Sequence, residues 1–252
     1  MREKTLKPME AFMLLKRIVR LSCFMAVAII LFFVLASPSF AAGRKLTIAG
    51  ASDLSLAFRE IAREFEKETG YKVVLSLGST GMLARQIEQG APFDAFFAAN
   101  RKFVEDLEKG GHILPGTIEL YAEGALVIAV KSGAGFKVAI DSVPGSLEAL
   151  KSAGLWEELK SKLVYGENIR QALQFVESGN AEAGIIARSV ANSPGIEFSE
   201  VPSNLHKHIS QAAGVVSSSK EKEGARAFIK FVNGPKGALI MKKYGFLPPG
   251  GR

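Results

Sequence analysis

Two hydroxyl side chains between two glycines are the first chemical feature of this sequence. Ser79 and Thr80 lie between Gly78 and Gly81, and a segment with helical character follows directly. A strand that ends in glycine and turns into a helix presents unpaired N–H groups and the positive end of the helix dipole, which together attract anions. The segment therefore has two interpretations: an anion site with neutral donors, or ordinary capping of a helix by Ser and Thr.

This turn lacks the residues of a nucleotide-binding loop or a hydrolase. A phosphate-binding loop ends in Gly-Lys-Ser/Thr, and Met82 and Leu83 stand where the lysine and the hydroxyl are needed. The chain has no Gly-x-Ser-x-Gly elbow, no paired-carboxylate arrangement and no His-Glu-x-x-His motif. A serine-dependent hydrolase that uses Ser79 is thus a remote alternative, and we predict that the protein is not an enzyme.

The histidines are the remaining candidates for a metal site. His206 and His208 flank a lysine, and His112 is far from them in the sequence. Two ligands beside a lysine are too few for a closed metal site, so we expect these side chains to be solvated. The sequence predicts neither a cofactor nor direct metal ligands.

The first 42 residues predict a cleaved signal peptide. A basic start is followed by the apolar-biased stretch LSCFMAVAIILFFVLA and by small residues that end at Ala41. A retained membrane anchor is the alternative, although the 16 residues of this stretch are short for a span of about 20. The prediction places the mature protein in the periplasm.

Charge and cysteine content change when this segment is removed. The remainder has 26 basic and 23 acidic residues, a net charge of +3 instead of +7 for the whole chain. It has no arginine-rich run or aromatic ladder, so we predict no nucleic-acid partner. The single cysteine, Cys23, lies in the leader, and the mature domain must fold without disulfides.

Strand and helix patterns alternate along the mature chain, which is typical of parallel sheets with crossover helices. The predicted strands are 45–50, 71–78, 93–99, 124–131, 181–187 and 211–218. The predicted helices are 51–70, 82–89, 101–111, 147–164, 167–180, 222–234 and 235–245. Because the run 124–131 is apolar throughout, it predicts a strand buried on both faces.

Three turns in this pattern lead from a strand into a helix through glycine and a capping residue. They are GASD (50–53), GSTG (78–81) and YGENI (165–169). In open parallel sheets, ligands bind beyond the carboxyl ends of the strands. The three helix starts could therefore point at one anion.

The sequence resembles the periplasmic molybdate-binding proteins of ABC importers. The resemblance spans nearly all of residues 44–249, and the segments that carry it are ASDLSLAFREIAREFEKETG, GSTGMLARQIEQGAPFDAFFAA, LVYGENIRQALQFVESGNAEAGI and FIKFVNGPKGALIMKKYGFLPP. It implies an α/β fold of the two-lobe periplasmic binding protein type (type II). Each lobe would be a mainly parallel sheet flanked by helices, with the ligand between the lobes.

The resemblance also implies a division of the chain and a function. Residues 43–122 would form the first part of lobe I, residues 123–205 lobe II with the crossover, and residues 206–252 the return to lobe I with the C-terminal helices. The protein would capture molybdate, and tungstate as well, and deliver it as a monomer to a membrane permease driven by a cytoplasmic ATPase. A binding protein for another anion, such as sulfate or phosphate, is the alternative.

In lobe I, the resemblance carries the ligand donors over to two turns. The family's hydroxyl donor after the first strand matches Ser52. An ungapped alignment through the following helix puts Asp53 at that position instead. A backbone N–H could serve as the donor from either residue. The family's Gly-Ser-Ser-Gly turn matches residues 78–81, so that Thr80 stands where a serine is usual and Ser79 lies beside it.

In lobe II, the resemblance implies backbone donors. The helix-opening N–H of the family falls at Ile169, and a second N–H is placed at Gly145, after the sequence SVP. A tyrosine donor found in some members falls at Ala187, which has no hydroxyl. The stretch 131–150 is also shorter than is usual in the family.

Overall fold

A computed structural model describes residues 43–131, 138–141, 144–207 and 209–250 of the chain. The predicted signal peptide, residues 1–42, lies outside these ranges, as does His208. Within them, no helix is both long and apolar enough to cross a lipid bilayer.

Strands and helices alternate through the described ranges. The strands are β1 (Lys45–Ala51), β2 (Lys72–Gly78), β3 (Ala95–Ala98), β4 (Glu119–Gly124), β5 (Leu126–Val130), β6 (Val138–Asp141), β7 (Leu163–Gly166), β8 (Ala183–Ala187), β9 (Glu197–Glu200) and β10 (Ile209–Val215). The helices are α1 (Ser55–Thr69), α2 (Thr80–Glu88), α3 (Arg101–Lys109), α4 (Pro144–Ser152), α5 (Trp156–Leu159), α6 (Ile169–Ser178), α7 (Arg188–Ala191), α8 (Lys222–Asn233) and α9 (Pro235–Lys243). Short 3-10 turns cover Ser52–Leu54, Lys160–Lys162 and Ser203–Leu205.

The strands form two five-stranded sheets. The first has the order β2-β1-β3-β10-β4 and the second the order β7-β6-β8-β5-β9. In the first sheet β1 pairs in parallel with β2 and β3, while β10 runs antiparallel to β3 and β4. In the second sheet β6 is parallel to β7 and β8, and β5 is antiparallel to β8 and β9. The predicted two-lobe α/β fold is confirmed, with parallel and antiparallel pairings in equal number within each sheet.

The chain crosses between the sheets twice in the described ranges. The first crossing is at Ala125, between β4 and β5, so the predicted boundary after residue 122 falls inside a strand of the first sheet. The second crossing lies between β9 and β10, and the predicted return at residue 206 falls within it. Both crossings join strands that pair antiparallel with their neighbours: β4 to β5 and β9 to β10.

Strand β3 shows how the first sheet is covered on both faces. Its successive side chains point to opposite faces, as the period of a strand requires. Phe97 contacts the rings of Phe58 and Phe228 edge-on, with centroids 4.9 and 5.7 Å apart. Phe96 packs on the opposite face with Val104 and Leu107 of α3. Helices therefore bury both faces of β3.

Strand β5 corrects one prediction. Val127 and Ala129 are buried in the core with α6, but Ile128 and Val130 are 44% and 39% exposed. The expectation of a strand buried on both faces was therefore wrong. The apolar run fills one face of the second sheet, and the opposite face is covered only near its start, where Leu126 contacts Leu150 of α4.

The predicted helix over 147–164 is also corrected. Helix α4 ends at Ser152, and Gly154 follows in the left-handed region at φ +72°. A single turn, α5, follows, and the chain is a strand again from Leu163. Because glycine adopts positive φ without the penalty of a side chain, Gly154 ends the helix in a way that apolar spacing does not reveal.

Candidate anion-binding cleft

A cleft of about 470 Å³ is lined by residues from the ends of strands in both sheets. The turns after β1, β2, β3 and β7 contribute residues 51–53, 78–81, 99–100 and 167–169. This is the place where open α/β sheets bind ligands, because loops from neighbouring strands converge there. Of the residues that the sequence analysis proposed for the site, the cleft brings together Ser52, Asp53, Ser79, Thr80 and Ile169.

The turn after β2 presents unused donors to this cleft. Ser79 is the N-cap residue of α2, but its hydroxyl makes no capping hydrogen bond, and its carbonyl accepts the N–H of Leu83 at 3.0 Å. The Oγ1 atom of Thr80 accepts the N–H of Ala99 at 3.2 Å, which leaves its own O–H as a donor. The N–H groups of Thr80, Gly81 and Met82 precede the first intrahelical bond and have no acceptor in the described part of the chain. The structure therefore does not show the side-chain capping that was the alternative.

The turn after β1 is a short 3-10 turn with two buried polar residues. Ser52 is 8% and Asp53 is 4% exposed. The carbonyl of Ser52 accepts the N–H of Ser55, whereas its hydroxyl has no partner among the described residues. Ser52 can thus donate a hydroxyl hydrogen to a ligand in the cleft.

The turn after β7 leaves one backbone donor unused. The Oδ1 atom of Asn168 accepts the N–H groups of Arg170 and Gln171, at 3.0 and 3.2 Å. The Gln171 side chain in turn accepts the N–H of Glu167 at 2.6 Å. Within the described ranges the N–H of Ile169 has no acceptor. The Asn168 cap therefore pairs the next two N–H groups of the helix and leaves that of Ile169 free to donate at the cleft.

Gly145 and Ala187 occupy different positions relative to the cleft. Ala187 lines it, at the end of β8. Gly145 lies on α4 behind two lining residues: a Cβ on it would come within 2.8 Å of Ile209 Cδ1 and 3.3 Å of Leu126 Cδ1. Gly145 does not line the cleft itself.

Gln211, which was not predicted as a site residue, lines the cleft from β10 and is only 2% exposed. Its Nε2 donates to Asp53 Oδ2 at 2.9 Å. The sequence does contain an indication of its role, since Gln211 begins the apolar run QAAGVV. A glutamine in a buried strand needs a hydrogen-bond partner. Burial raises the pKa of Asp53 to about 6, against the lowering effect of the Gln211 amide and of the N–H groups of Asp53 and Leu54.

The charged residues that line the cleft are mostly acidic. Arg85 is accompanied by the carboxylates of Asp53, Glu88, Asp106 and Glu167. A hydrogen bond from Lys102 lowers the pKa of Asp106, which keeps that carboxyl ionised. Among the described residues, no group of three or more His, Cys, Asp or Glu side chains is arranged to hold a metal ion. An anion in this cleft would therefore be held mainly by neutral hydroxyl and backbone donors.

Comparisons with known proteins agree with this geometry. Residues 46–247 match the family of bacterial extracellular solute-binding proteins. The molybdate-binding protein ModA of Azotobacter vinelandii is 35% identical over 80% of this chain and 89% of its own length, and ModA of Escherichia coli is 33% identical over 85% and 93%. The solved periplasmic molybdate-binding protein of Azotobacter vinelandii superposes with a TM-score of 0.75 and 31% identity, over 81% of this chain and 99% of that one. The chain therefore belongs to the bacterial extracellular solute-binding protein family, alongside the ModA proteins.

Proposed function

We propose that this protein captures molybdate, and also tungstate, and delivers the ion to the permease of an ABC importer that a cytoplasmic ATPase drives. As a member of its family, the chain is a binding protein and not an enzyme. The names of its ModA relatives support molybdate as the ligand. We further propose that the chain is exported by a cleaved signal peptide and acts in the periplasm as a monomer.

One observation carries the proposal: unused neutral donors from both sheets converge on one cleft. The first sheet provides the hydroxyls of Ser52, Ser79 and Thr80, and the second provides the N–H of Ile169. Helix N-termini bind anions through such N–H groups and through the helix dipole. Hydrogen bonds to a charged acceptor are about twice as strong as neutral ones, so a dianion can be held without a paired cation.

The distribution of donors over two sheets suggests how the ligand is retained. Thr80 and Ile169 lie at the ends of β2 and β7, in different sheets, and both contact the cleft. An ion that accepts hydrogen bonds from both must bridge the two lobes. We infer that binding draws the two lobes, each built on one of the two sheets, together around the ion and removes it from water. A cavity closed on all sides would then select ligands by size.

Isothermal titration calorimetry of the purified protein with molybdate, tungstate, sulfate and phosphate tests the proposal. We expect molybdate and tungstate to bind, and sulfate to compete poorly even at about a thousandfold excess. Competition by sulfate at near-equal concentration would favour a sulfate-binding protein instead. As a matched pair of variants, Ser79→Ala alters the cleft, whereas Ser178→Ala removes an exposed hydroxyl that donates to the Phe175 carbonyl on α6. Only the first should change the titration.

A further inference from the structure

The wall of the cleft contains two buried oxygen atoms that lack hydrogen-bond partners. In the described part of the chain, the buried side-chain atoms without a partner are Asp53 Oδ1, Gln211 Oε1 and Ser189 Oγ. The first two belong to side chains that are already joined by the hydrogen bond from Gln211 Nε2 to Asp53 Oδ2. Buried polar atoms are nearly always paired, since an unmade hydrogen bond costs free energy. Two such atoms on one bonded pair therefore require an explanation.

The chemistry of the two groups explains why they remain unpaired. An ionised carboxylate and an amide oxygen are both acceptors, so neither can satisfy the other. A proton on Asp53 Oδ1 would turn this atom into a donor, and the oxygen of the same Gln211 amide would be its acceptor. The acid and the amide would then be joined by two hydrogen bonds, and a single proton would satisfy both orphaned atoms.

In the described ranges, no opposite charge is paired with Asp53. Tyr121 interacts with it electrostatically, but the Tyr121 O–H donates to the carbonyl of Ala98 at 3.2 Å, and its pKa is raised, chiefly by burial and further by Asp53. The other charged residues on the cleft wall are Arg85, Glu88, Asp106 and Glu167. The elements packed against the 52–54 turn add charged residues on α1, β2, α6 and α7: Arg59, Glu60, Arg63, Glu64, Glu66, Lys67, Glu68, Lys72, Arg170, Glu177 and Arg188. Among the described residues none of these forms an ion pair with Asp53, and Lys72 and Arg188 pair with Glu66 and Glu200.

We propose that Asp53 takes up one proton when a dianionic oxyanion occupies the cleft, and that this proton closes the two-hydrogen-bond pair with Gln211. The inference rests on the proposed function, since it requires an oxyanion ligand. The proton comes from the solvent and binds Oδ1, no bond of the oxyanion changes, and the buried pair of Asp53 and Gln211 carries no charge. Without the proton, the cleft would hold a dianion while its wall holds a buried carboxylate. A nearby like charge raises the pKa of an acid, so the dianion favours the neutral form of Asp53.

This proton gives ligand binding a defined dependence on pH. In the free protein the pKa of Asp53 is about 6, so the carboxyl is mostly ionised at neutral pH. Ligand binding raises this pKa further. Between the two values each binding event takes up a proton, and affinity falls as the pH rises, approaching tenfold per pH unit. Below the pKa of the free protein the proton is already present, and the affinity becomes independent of pH.

Calorimetry of the purified protein with molybdate measures this proton directly. Titrations at about pH 7.5 in two buffers with different ionisation enthalpies give the number of protons taken up. We expect a value near one for the parent protein, and an affinity that falls with rising pH. In Asp53→Asn the amide has the acceptor and the donor of the neutral acid, so we expect no proton uptake and a flat pH profile. At about pH 8 this variant should bind molybdate at least about threefold more tightly than the parent, because it needs no proton.

A carboxylate outside the cleft provides the control. Glu105 on α3 pairs with Arg101 at the surface, and Glu105→Gln should keep the parent's proton uptake. Molybdate binding by the parent without proton uptake would overturn the inference and leave the proposed function standing. Uptake that persists in Asp53→Asn would overturn it as well. If the parent binds no oxyanion, the proposed function fails and the inference fails with it. A parent protein that binds molybdate without proton uptake overturns the inference even if Asp53→Asn does not fold.

Discussion

The hydroxyl oxygen of Thr80 accepts the backbone N–H of Ala99 at 3.2 Å, so that the residue after β3 positions the residue that opens α2. The bond spans β1, which lies between β2 and β3 in the sheet. It uses the acceptor capacity of the hydroxyl and leaves its hydrogen free to donate. Thr80 thus links two strand ends and keeps a hydroxyl hydrogen that can be donated to a ligand in the cleft.

Thr80→Ala should weaken molybdate binding by about tenfold or more, since a hydrogen bond to a charged group is worth about 1.5–3 kcal/mol. Thr80→Ser keeps the hydroxyl and should bind nearly as the parent does. Thr69→Ala is the control, because that hydroxyl donates to the Phe65 carbonyl at the end of α1, away from the cleft. Calorimetric dissociation constants decide the matter, and an unchanged value for Thr80→Ala would move the site to Ser79 or away from this turn.

Gly166→Ala should damage the second half of the site. A Cβ at this position would lie 2.7 Å from the backbone nitrogen of Ala172 and 2.9 Å from the carbonyl oxygen of Asn168, so the start of α6 would have to move. We expect a loss of about 1–3 kcal/mol in the free energy of unfolding, together with weaker molybdate binding. Denaturant titration and calorimetry measure the two effects.

Gly81→Ala is the matched glycine variant for this test. Its Cβ would meet the Phe103 ring at 3.6 Å, an ordinary van der Waals contact. We expect its stability to stay within about 1 kcal/mol of the parent. Equal stability of the two alanine variants would contradict the close packing at Gly166.

The parts of the site that could be predicted from the sequence are the turns. Glycines and capping residues at 50–53, 78–81 and 165–169 have local conformational consequences, and the parallel order of strands brings such turns to one edge. Asn168 caps α6 as expected, and Ser52, Thr80 and Ile169 line the same cleft. The cap rests on interactions within a few residues of the chain, whereas the convergence of the turns follows from the order of the strands, and the individual donors were taken from the family resemblance.

The parts that could not be predicted depend on distant contacts. Strand β9 reads EFSE, with all four residues exposed, and only its pairing with β5 makes it a strand. Asp53 was considered as a backbone donor, whereas its carboxyl is buried against Gln211, 158 positions along the chain. A partner at that separation leaves no periodicity in the sequence, so the ionisation of Asp53 follows only from the fold.

Two substitutions of Asn168 should separate helix capping from ligand binding. Asn168→Ala removes the acceptor of the Arg170 and Gln171 N–H groups and should cost about 1 kcal/mol of stability. Asn168→Asp keeps an acceptor and should fold as stably as the parent. Because residue 168 lines the cleft, the new negative charge should nevertheless weaken molybdate binding. Parent-like affinity in Asn168→Asp would indicate that the ion does not approach α6.

The buried carboxyl of Asp53 should make the parent less stable at neutral pH than at mildly acidic pH. Its pKa in the folded state is about 6, above the ordinary value of 3.8, so the folded state binds more protons than the unfolded state between these values. Stability is therefore lost as the pH rises through this window, by about 3 kcal/mol in total, and the loss is complete above the folded-state pKa.

Asp53→Asn should remove this loss, because its amide can accept from Gln211 Nε2 and donate to Gln211 Oε1 at every pH. We expect the variant to gain up to about 3 kcal/mol over the parent at about pH 7 and to gain nothing near pH 4. The pKa values of other carboxyls are shifted in the opposite direction. Hydrogen bonds from Lys236 and Lys67, for example, lower the pKa of Glu64 to about 2. These groups are the same in the parent and in the variant, so their effects cancel when the two free energies of unfolding are subtracted. Denaturant unfolding at several pH values between about 4 and 7 measures this difference. A variant that is less stable than the parent at pH 7 would show that the ionised carboxylate has a partner that the neutral amide cannot replace.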